Sequence, residues 1–300
     1  DSGNREKARR YIQEFRESFI RPEYSDFNLR EKNKGGKTRE QDALLRKIYA
    51  RLRQPRSDEN ASRLGVNPGN RPVRIILRDY FAQSRNKRVL DQFSYYPFDK
   101  IKKFIYTPLQ VQPEMTIDVM GPYFNNQIET IRQISQSLPD DYTLVVKEHP
   151  EGIGRRGPSY MEKISRTPNV KLIDFRIPTE NILTKVAMVI STSSTTIAEA
   201  AFYKKPAIQL GNLGTTLKLP NVFHHTDMTT LTKKIKEILT LDLDTQEFEF
   251  QLENYVAAAY DTGFNFNYAG TWFRGDKTDL EPLWLLFKKE IEQALAQTDS

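Results

Sequence analysis

The chain has 300 residues, 45 Lys+Arg against 39 Asp+Glu, 38% apolar residues and no cysteine. That length fits one large domain or two modest ones. The lack of Cys removes disulfide scaffolds, thiolate zinc sites and cysteine nucleophiles, and fits a reducing compartment. No apolar run approaches the ~20 residues that cross a bilayer, and no basic-then-apolar leader opens the chain. A soluble intracellular protein is expected, and the start at Asp1 suggests processing or trimming.

Charge is unevenly spread. Residues 1–103 hold 26 Lys+Arg and 14 Asp+Glu, and residues 104–300 hold 19 and 25, which separates two compositional regimes. The basic part reads as helical from Arg5 to Phe19 and from Arg39 to Arg53. Between these lies the turn-rich stretch Asn33–Lys37, and after them a loop through Pro55, Gly65, Pro68, Gly69 and Pro72. Val73–Arg88 suits a strand or a helix. The segment is either a solvated helical surface or a binding face for anionic lipid head groups. Nucleic acid is not expected, because no recognition signature is present.

From Phe104 the pattern alternates strand, loop and helix. Phe104–Val111, Tyr142–Lys147, Val170–Ile173, Met188–Ile190 and Pro206–Leu210 read as strands. Helices are expected over Asn125–Leu138, Tyr160–Arg166, Glu180–Ala187 and Thr195–Lys204, the first from Ile128, Ile131, Ile134 and Leu138 at helical spacing. Such alternation implies an α/β fold: a Rossmann-like parallel sheet with helices on both faces. Ligands of these sheets bind at the carboxyl ends of the strands, which singles out loops 112–118, 148–157 and 191–196.

Loop 191–196 reads Ser-Thr-Ser-Ser-Thr-Thr. Its hydroxyls can cap the next helix, or with the first-turn amides can hold a phosphate. In Lys147-Glu148-His149-Pro150, Pro150 halts the strand and keeps His149 at the rim, where an imidazole can bond a phosphate or a sugar hydroxyl. One of Lys147 and Glu148 is expected to orient the site and the other to be solvated. His224 and His225 read as ordinary loop residues.

Together Tyr106-Thr107-Pro108-Leu109-Gln110, Lys147-Glu148-His149-Pro150 and Ser191–Thr195 resemble the capsule polysaccharide biosynthesis family, which includes bacterial Kdo transferases. They are also similar to motifs of bacterial sialyltransferases and teichoic acid glycerophosphotransferases. The resemblance, over roughly residues 104–215, implies the nucleotide-binding, C-terminal half of a GT-B architecture and a cytidine-nucleotide donor. His149 and Pro150, with Lys147, would then face the nucleotide, and Ser193, Ser194 and Thr195 its phosphate. Glu199 would approach the ribose or remain a helix-surface charge. It further implies a first Rossmann domain that residues 1–103 do not supply, so that domain is expected to be removed or replaced.

The expected division is a basic, mainly helical segment, 1–103, and a nucleotide-sugar-binding domain, 104–300. The domain closes with Trp272-Phe273-Arg274-Gly275 and a helix over Leu280–Ala296. That helix resembles the crossing helix of GT-B enzymes, and its stripe Leu283, Leu286, Phe287, Ile291 suits core or interdomain packing. For acid/base or nucleophile duty Glu114 comes first and Asp118 second; either alternatively caps the helix starting near Asn125. Arg155 and Arg156 would neutralise an acidic ligand or sit in a solvated loop. No Asp-x-Asp motif suggests a metal-bound diphosphate, so neither metal nor cofactor is expected.

The leading expectation is a glycosyltransferase of surface or capsular polysaccharide assembly. It would transfer Kdo or another acidic sugar from a CMP-activated donor to a glycan or glycolipid acceptor. The expected location is the cytoplasm, or the inner face of the membrane through residues 1–103. The alternatives are a UDP-sugar-dependent GT-B transferase or epimerase, and a non-catalytic module binding nucleotides or polyanions on a membrane or partner.

Overall fold

The computed structural model describes residues 2–20, 36–53, 72–263, 266–267, 270–271 and 276–298. The loop through Pro55, Gly65, Pro68 and Gly69, the stretch 33–35 and Trp272–Gly275 lie outside these residues.

Among the described residues, three α-helices precede the sheet: α1 (Ser2–Ser18), α2 (Gly36–Arg53) and α3 (Val73–Asp91). The ambiguous Val73 segment is therefore a helix. Its continuous run of Arg, Phe and Leu positions at helical spacing outweighs the short β-branched start. Six strands follow, β1 (Phe104–Pro108), β2 (Thr143–Lys147), β3 (Val170–Ile173), β4 (Met188–Ser191), β5 (Ala207–Gln209) and β6 (Val222–His224). All pair in parallel, in the order β3-β2-β1-β4-β5-β6. That is the strand order of dinucleotide-binding Rossmann folds, with its topological switch point between β1 and β4.

Both faces of the inner strands are apolar because helices cover them on each side, whereas the edge strand β6 is only partly buried. Ile105, Leu144, Val146, Met188, Ile190 and Ile208 lie in one core cluster. It is closed by α3, α5 (Gln127–Gln136), α6 (Pro158–Ser165) and α9 (Leu231–Leu239). Phe104, Tyr106, Val145, Val189 and Ala207 face the other way, against α7 (Thr179–Leu183) and α8 (Thr195–Phe202). A turn of helix, α4 (Met115–Asp118), sits in the loop after β1. The C-terminal part adds α10 (Gln246–Thr262) and α11 (Leu280–Thr298). Helices α9 and α10 had no counterpart in the sequence reading.

The first helix joins this body directly. Ala8, Ile12 and Phe15 are buried against Phe202, Phe248, Leu252 and Val256, and the Phe15 and Phe202 rings stack with centroids 4.2 Å apart. Around that seam Arg9 pairs with Glu253 at 2.9 Å, and Glu249 takes both Arg16 at 2.9 Å and Lys204 at 2.8 Å. Much of the positive charge of α1 thus answers the acidic face of α10 rather than a partner. Burial pushes the Glu249 carboxyl up, but Lys204 and Arg16 outweigh it and hold the group below its ordinary value. A depressed carboxylate contributes above its unfolded pKa and is lost as pH falls through the folded one. Acidification through that range is expected to expose α1 first. Amide exchange at Ile12 and Phe15 should accelerate before exchange in β1 and β4 does.

The terminal helix departs from expectation. Leu283 and Leu286 are half-buried, but Trp284, Phe287, Ile291 and Leu295 are all exposed. Its stripe is therefore not core packing within the described residues.

Candidate functional site

The carboxyl rim of β2, β1 and β4 holds the three motif loops side by side. Pro108 is in register with Lys147, so the loops after β1 and β2 leave the sheet at the same height. The loop after β4 emerges on the opposite flank of β1, at the switch point. Strand pairing stops at Pro108, earlier than the expected Val111, because a side chain takes over the backbone. Gln127 Oε1 accepts from Gln110 N at 2.7 Å, and Gln127 Nε2 donates to Gln110 O at 2.9 Å. Gln127 Nε2 also reaches Gln112 Oε1 at 2.7 Å. A buried glutamine on α5 thus imitates a neighbouring strand and satisfies groups that cannot be left bare.

From Gln110 the hydrogen bonds run both ways. Its Nε2 donates to Ser193 Oγ at 3.4 Å, and Ser193 Oγ donates to the carbonyl of Thr116. Its carbonyl accepts from Arg156 Nη2. Arg156 Nη1 donates to Glu148 Oε1 at 2.6 Å, and the same oxygen accepts from His149 N at 2.8 Å. Ser193 and His149, 44 positions apart in the sequence, are therefore tied into one network across the end of β1.

Glu148 and Arg156 are its buried centre, their side chains 3% and 11% exposed. Burial raises the Glu148 carboxyl above its usual range, opposed by the Arg156 charge and hydrogen bond. Glu148 Oε2 has no partner. Gly152 makes room for the pair, since a Cβ there would lie 2.5 Å from Glu148 Oε1. Arg156 is thus neither a solvated loop residue nor available to an acidic ligand, whereas Arg155 is exposed. Neither Lys147 nor Glu148 is solvated: the Lys147 ammonium donates to Ile177 O at 2.8 Å and Thr179 Oγ1 at 3.0 Å. Lys147 therefore braces the loop before α7.

His149 itself is exposed, and Pro150 opens a single 3-10 turn over Pro150–Gly152. His149 Nδ1 accepts from Glu151 N at 3.1 Å. A backbone N–H can only donate, so the neutral ring carries its proton on Nε2 and presents a donor there. The loop is fixed from behind by α3. Asn86 Nδ2 donates to Gly154 O at 3.1 Å, and Gly154, at φ +81, approaches so closely that a Cβ would stand 2.8 Å from Gln83 O.

On the other flank, Ser194 is the N-cap of α8, its Oγ accepting from Thr196 N at 3.2 Å. Thr195 is exposed at the first turn. Ser193 is committed to the network, so the capping role and the site role fall on different hydroxyls of one loop. Beneath them Thr107 Oγ1 and Ser191 Oγ are buried without a partner. Both line a crevice with Gln110, Gln127 and Thr192.

The two carboxylate candidates lie together in the loop after β1. Asp118 accepts from Glu114 N at 3.0 Å and Gln112 Nε2 at 3.2 Å, and Glu114 Oε2 accepts from Thr116 Oγ1 at 3.1 Å. Neither caps α5; Asn126 does, accepting from Glu129 N at 3.4 Å. Glu199 stands apart on α8, near Tyr11, Tyr106 and Tyr203, whose phenols are pushed up by burial, with the Glu199 charge adding to the rise. The triplet Asp242-Leu243-Asp244 is sequentially an Asp-x-Asp, but Asp244 pairs with Lys204 at 2.5 Å. It lies beyond α9, at the end of the sheet away from this rim. Among the described residues no group of three His, Asp or Glu is placed to hold a metal.

Residues 66–213 match the model of the capsule polysaccharide biosynthesis protein family. That segment, 148 of the 300 residues, is what places the chain with the capsule polysaccharide biosynthesis family. The matched stretch begins ahead of α3 and contains every motif loop of the rim. No curated protein matches the chain. Among solved structures it is similar to the UDP-GlcNAc 2-epimerase of Methanocaldococcus jannaschii, at 16% identity over 69% of this chain and 60% of that one, TM-score 0.38. It is also similar to the β-Kdo 2,7 transferase KpsC of Thermosulfurimonas dismutans, at 17% identity over 62% and 56%, TM-score 0.36. A third is S. aureus MnaA with UDP, at 15% identity over 61% and 50%, TM-score 0.35. The chain thus spans half to three-fifths of these structures.

Proposed function

We propose that this capsule-family chain carries the donor-nucleotide site of a glycosyltransferase, with a CMP-activated acidic sugar as donor and a glycan or glycolipid as acceptor. The observation that supports this most is the network that fixes His149 and the Ser193–Thr195 loop on either side of β1, at the switch point. A nucleotide phosphate bridging the two would meet the Nε2–H of His149 and, across the strand end, the first-turn amides and hydroxyls of α8. Those donors stabilise the charge that develops as the glycosidic bond to phosphate breaks. Glu114, exposed at the same rim, or Asp118 beside it, takes the proton of the attacking acceptor hydroxyl. The reaction needs no metal in this reading, and nucleotide binding is expected to persist in EDTA.

Thermal unfolding with CMP, CDP and UDP tests the donor. A ligand that binds only the native state at about 100 times its Kd adds about 2.7 kcal/mol, worth roughly 4 °C at this chain length. CMP is expected to give the largest shift. A shift with UDP alone would replace the donor by a UDP-sugar and make a UDP-dependent transferase or epimerase the reading. No shift with any of the three would remove the site.

A further inference from the structure

The face of α3 that looks away from the site loop carries Arg74, Arg78, Phe81, Arg85 and Arg88. At 3.6 residues per turn these positions fall within an arc of about 80°, and all five are exposed, Phe81 to 64%. Arg78 pairs with Asp79 at 2.9 Å. Arg74, Arg85 and Arg88 have no carboxylate partner among the described residues. This differs from α1, where Arg9 and Arg16 are answered by Glu253 and Glu249.

Helix α2 packs against α3 and carries an exposed apolar stripe of its own. Leu44, Ile48 and Arg51 are half-buried, while Leu45, Tyr49 and Leu52 are 62%, 54% and 72% exposed at i, i+4, i+7. The Arg53 guanidinium lies 4.5 Å over the Tyr49 ring. Charge alone would suit any polyanion. Four large apolar side chains set among arginines would stay wetted against a soluble polyanion, but would be buried at the boundary between head groups and acyl chains.

We propose that the α2–α3 face docks on a bilayer surface bearing anionic head groups. Arg74, Arg85 and Arg88 meet lipid phosphates while Phe81, with Leu45, Tyr49 and Leu52, enters the interface. The membrane-facing part of the basic segment is then α2 and α3, and α1 is not. The docking does not rest on the donor site, because Arg74, Phe81, Arg85 and Arg88 lie on the side of α3 opposite Gln83 and Asn86, which meet loop 148–157.

The test is co-sedimentation of the full chain with vesicles of phosphatidylcholine alone and of phosphatidylcholine mixed with phosphatidylglycerol, over a salt series. Binding is expected only to the mixed vesicles and should weaken as salt screens the charges. The triple variant R74Q/R85Q/R88Q is expected to lose about a hundredfold in affinity, at roughly fivefold per arginine. F81A should lose about tenfold, equally at low and high salt, because its contribution is apolar. The control R166Q/K233Q/K236Q removes the same charge from exposed positions elsewhere and should bind like the parent. Circular dichroism confirms that each variant folds; if the triple variant does not, F81A and the lipid comparison still decide. Equal binding to neutral vesicles, or an equal loss in the control, would overturn the proposal. So would full displacement by dextran sulfate with F81A unaffected, which would make the face a polyanion site instead.

Discussion

Replacing Arg156 by methionine (R156M) is expected to lower stability by about 3–5 kcal/mol, because it leaves the Glu148 carboxylate buried without its counter-charge. The cost has a defined pH dependence. Burial already raises the Glu148 pKa, and Arg156 is what opposes that rise. Without the guanidinium the folded carboxyl holds its proton to still higher pH than the unfolded one. The stability of R156M is therefore greatest below the ordinary carboxylate pKa and falls as pH rises through the elevated folded value. Urea melts at acid and neutral pH should show the variant nearest the parent in acid. The double variant E148Q/R156M removes the buried charge and should recover part of the loss. A loss in R156M that does not vary with pH would mean that the guanidinium acts by packing on Tyr160, whose ring lies 5.2 Å from it.

The exchange Gln127→Leu is expected to cost about 1–3 kcal/mol for the orphaned Gln110 N–H, together with the lost bonds to Gln112 and to the Gln110 carbonyl. Its effect on the site should exceed its effect on the fold. Freed from α5, the loop after β1 no longer presents Gln110 to Ser193 or to Arg156. Nucleotide-induced stabilisation should then shrink more than the parent melting temperature does. Paired thermal scans with and without CMP measure this difference, and an unchanged ligand shift would show that Gln127 supports the fold alone.

The sheet was legible because each strand's own residues decide it. Val-rich runs such as Leu144–Val146 and Met188–Ile190 can be satisfied only by burial on both faces. The three loops at the carboxyl rim followed from that reading. The order of the strands was not legible, since β1 pairs on one side with a strand 39 positions away and on the other with one 83 positions away. Nor was the centre of the site. Gln127 reads as an ordinary polar position near the start of a helix, and its role exists only because β1 ends beside it. Arg156 sits in a glycine-rich stretch whose composition suggests solvent, yet Gly152 is small there to admit the Glu148–Arg156 pair. Helix α10 was missed because its apolar positions answer α1, far away in sequence. The apolar stripe of α11 was visible, but a stripe records that a face wants cover, not where the cover lies.

A double-mutant cycle in CMP affinity over His149→Ala and Thr195→Ala most directly examines whether the two motif loops hold one ligand. Thr195 is exposed at the first turn and Ser194, not Thr195, caps the helix, so the Thr195 change reports on the ligand rather than on α8. If one phosphate is shared, the two losses should couple by about 0.5–3 kcal/mol. Strictly additive losses, or a His149 variant that binds CMP like the parent, would contradict the account.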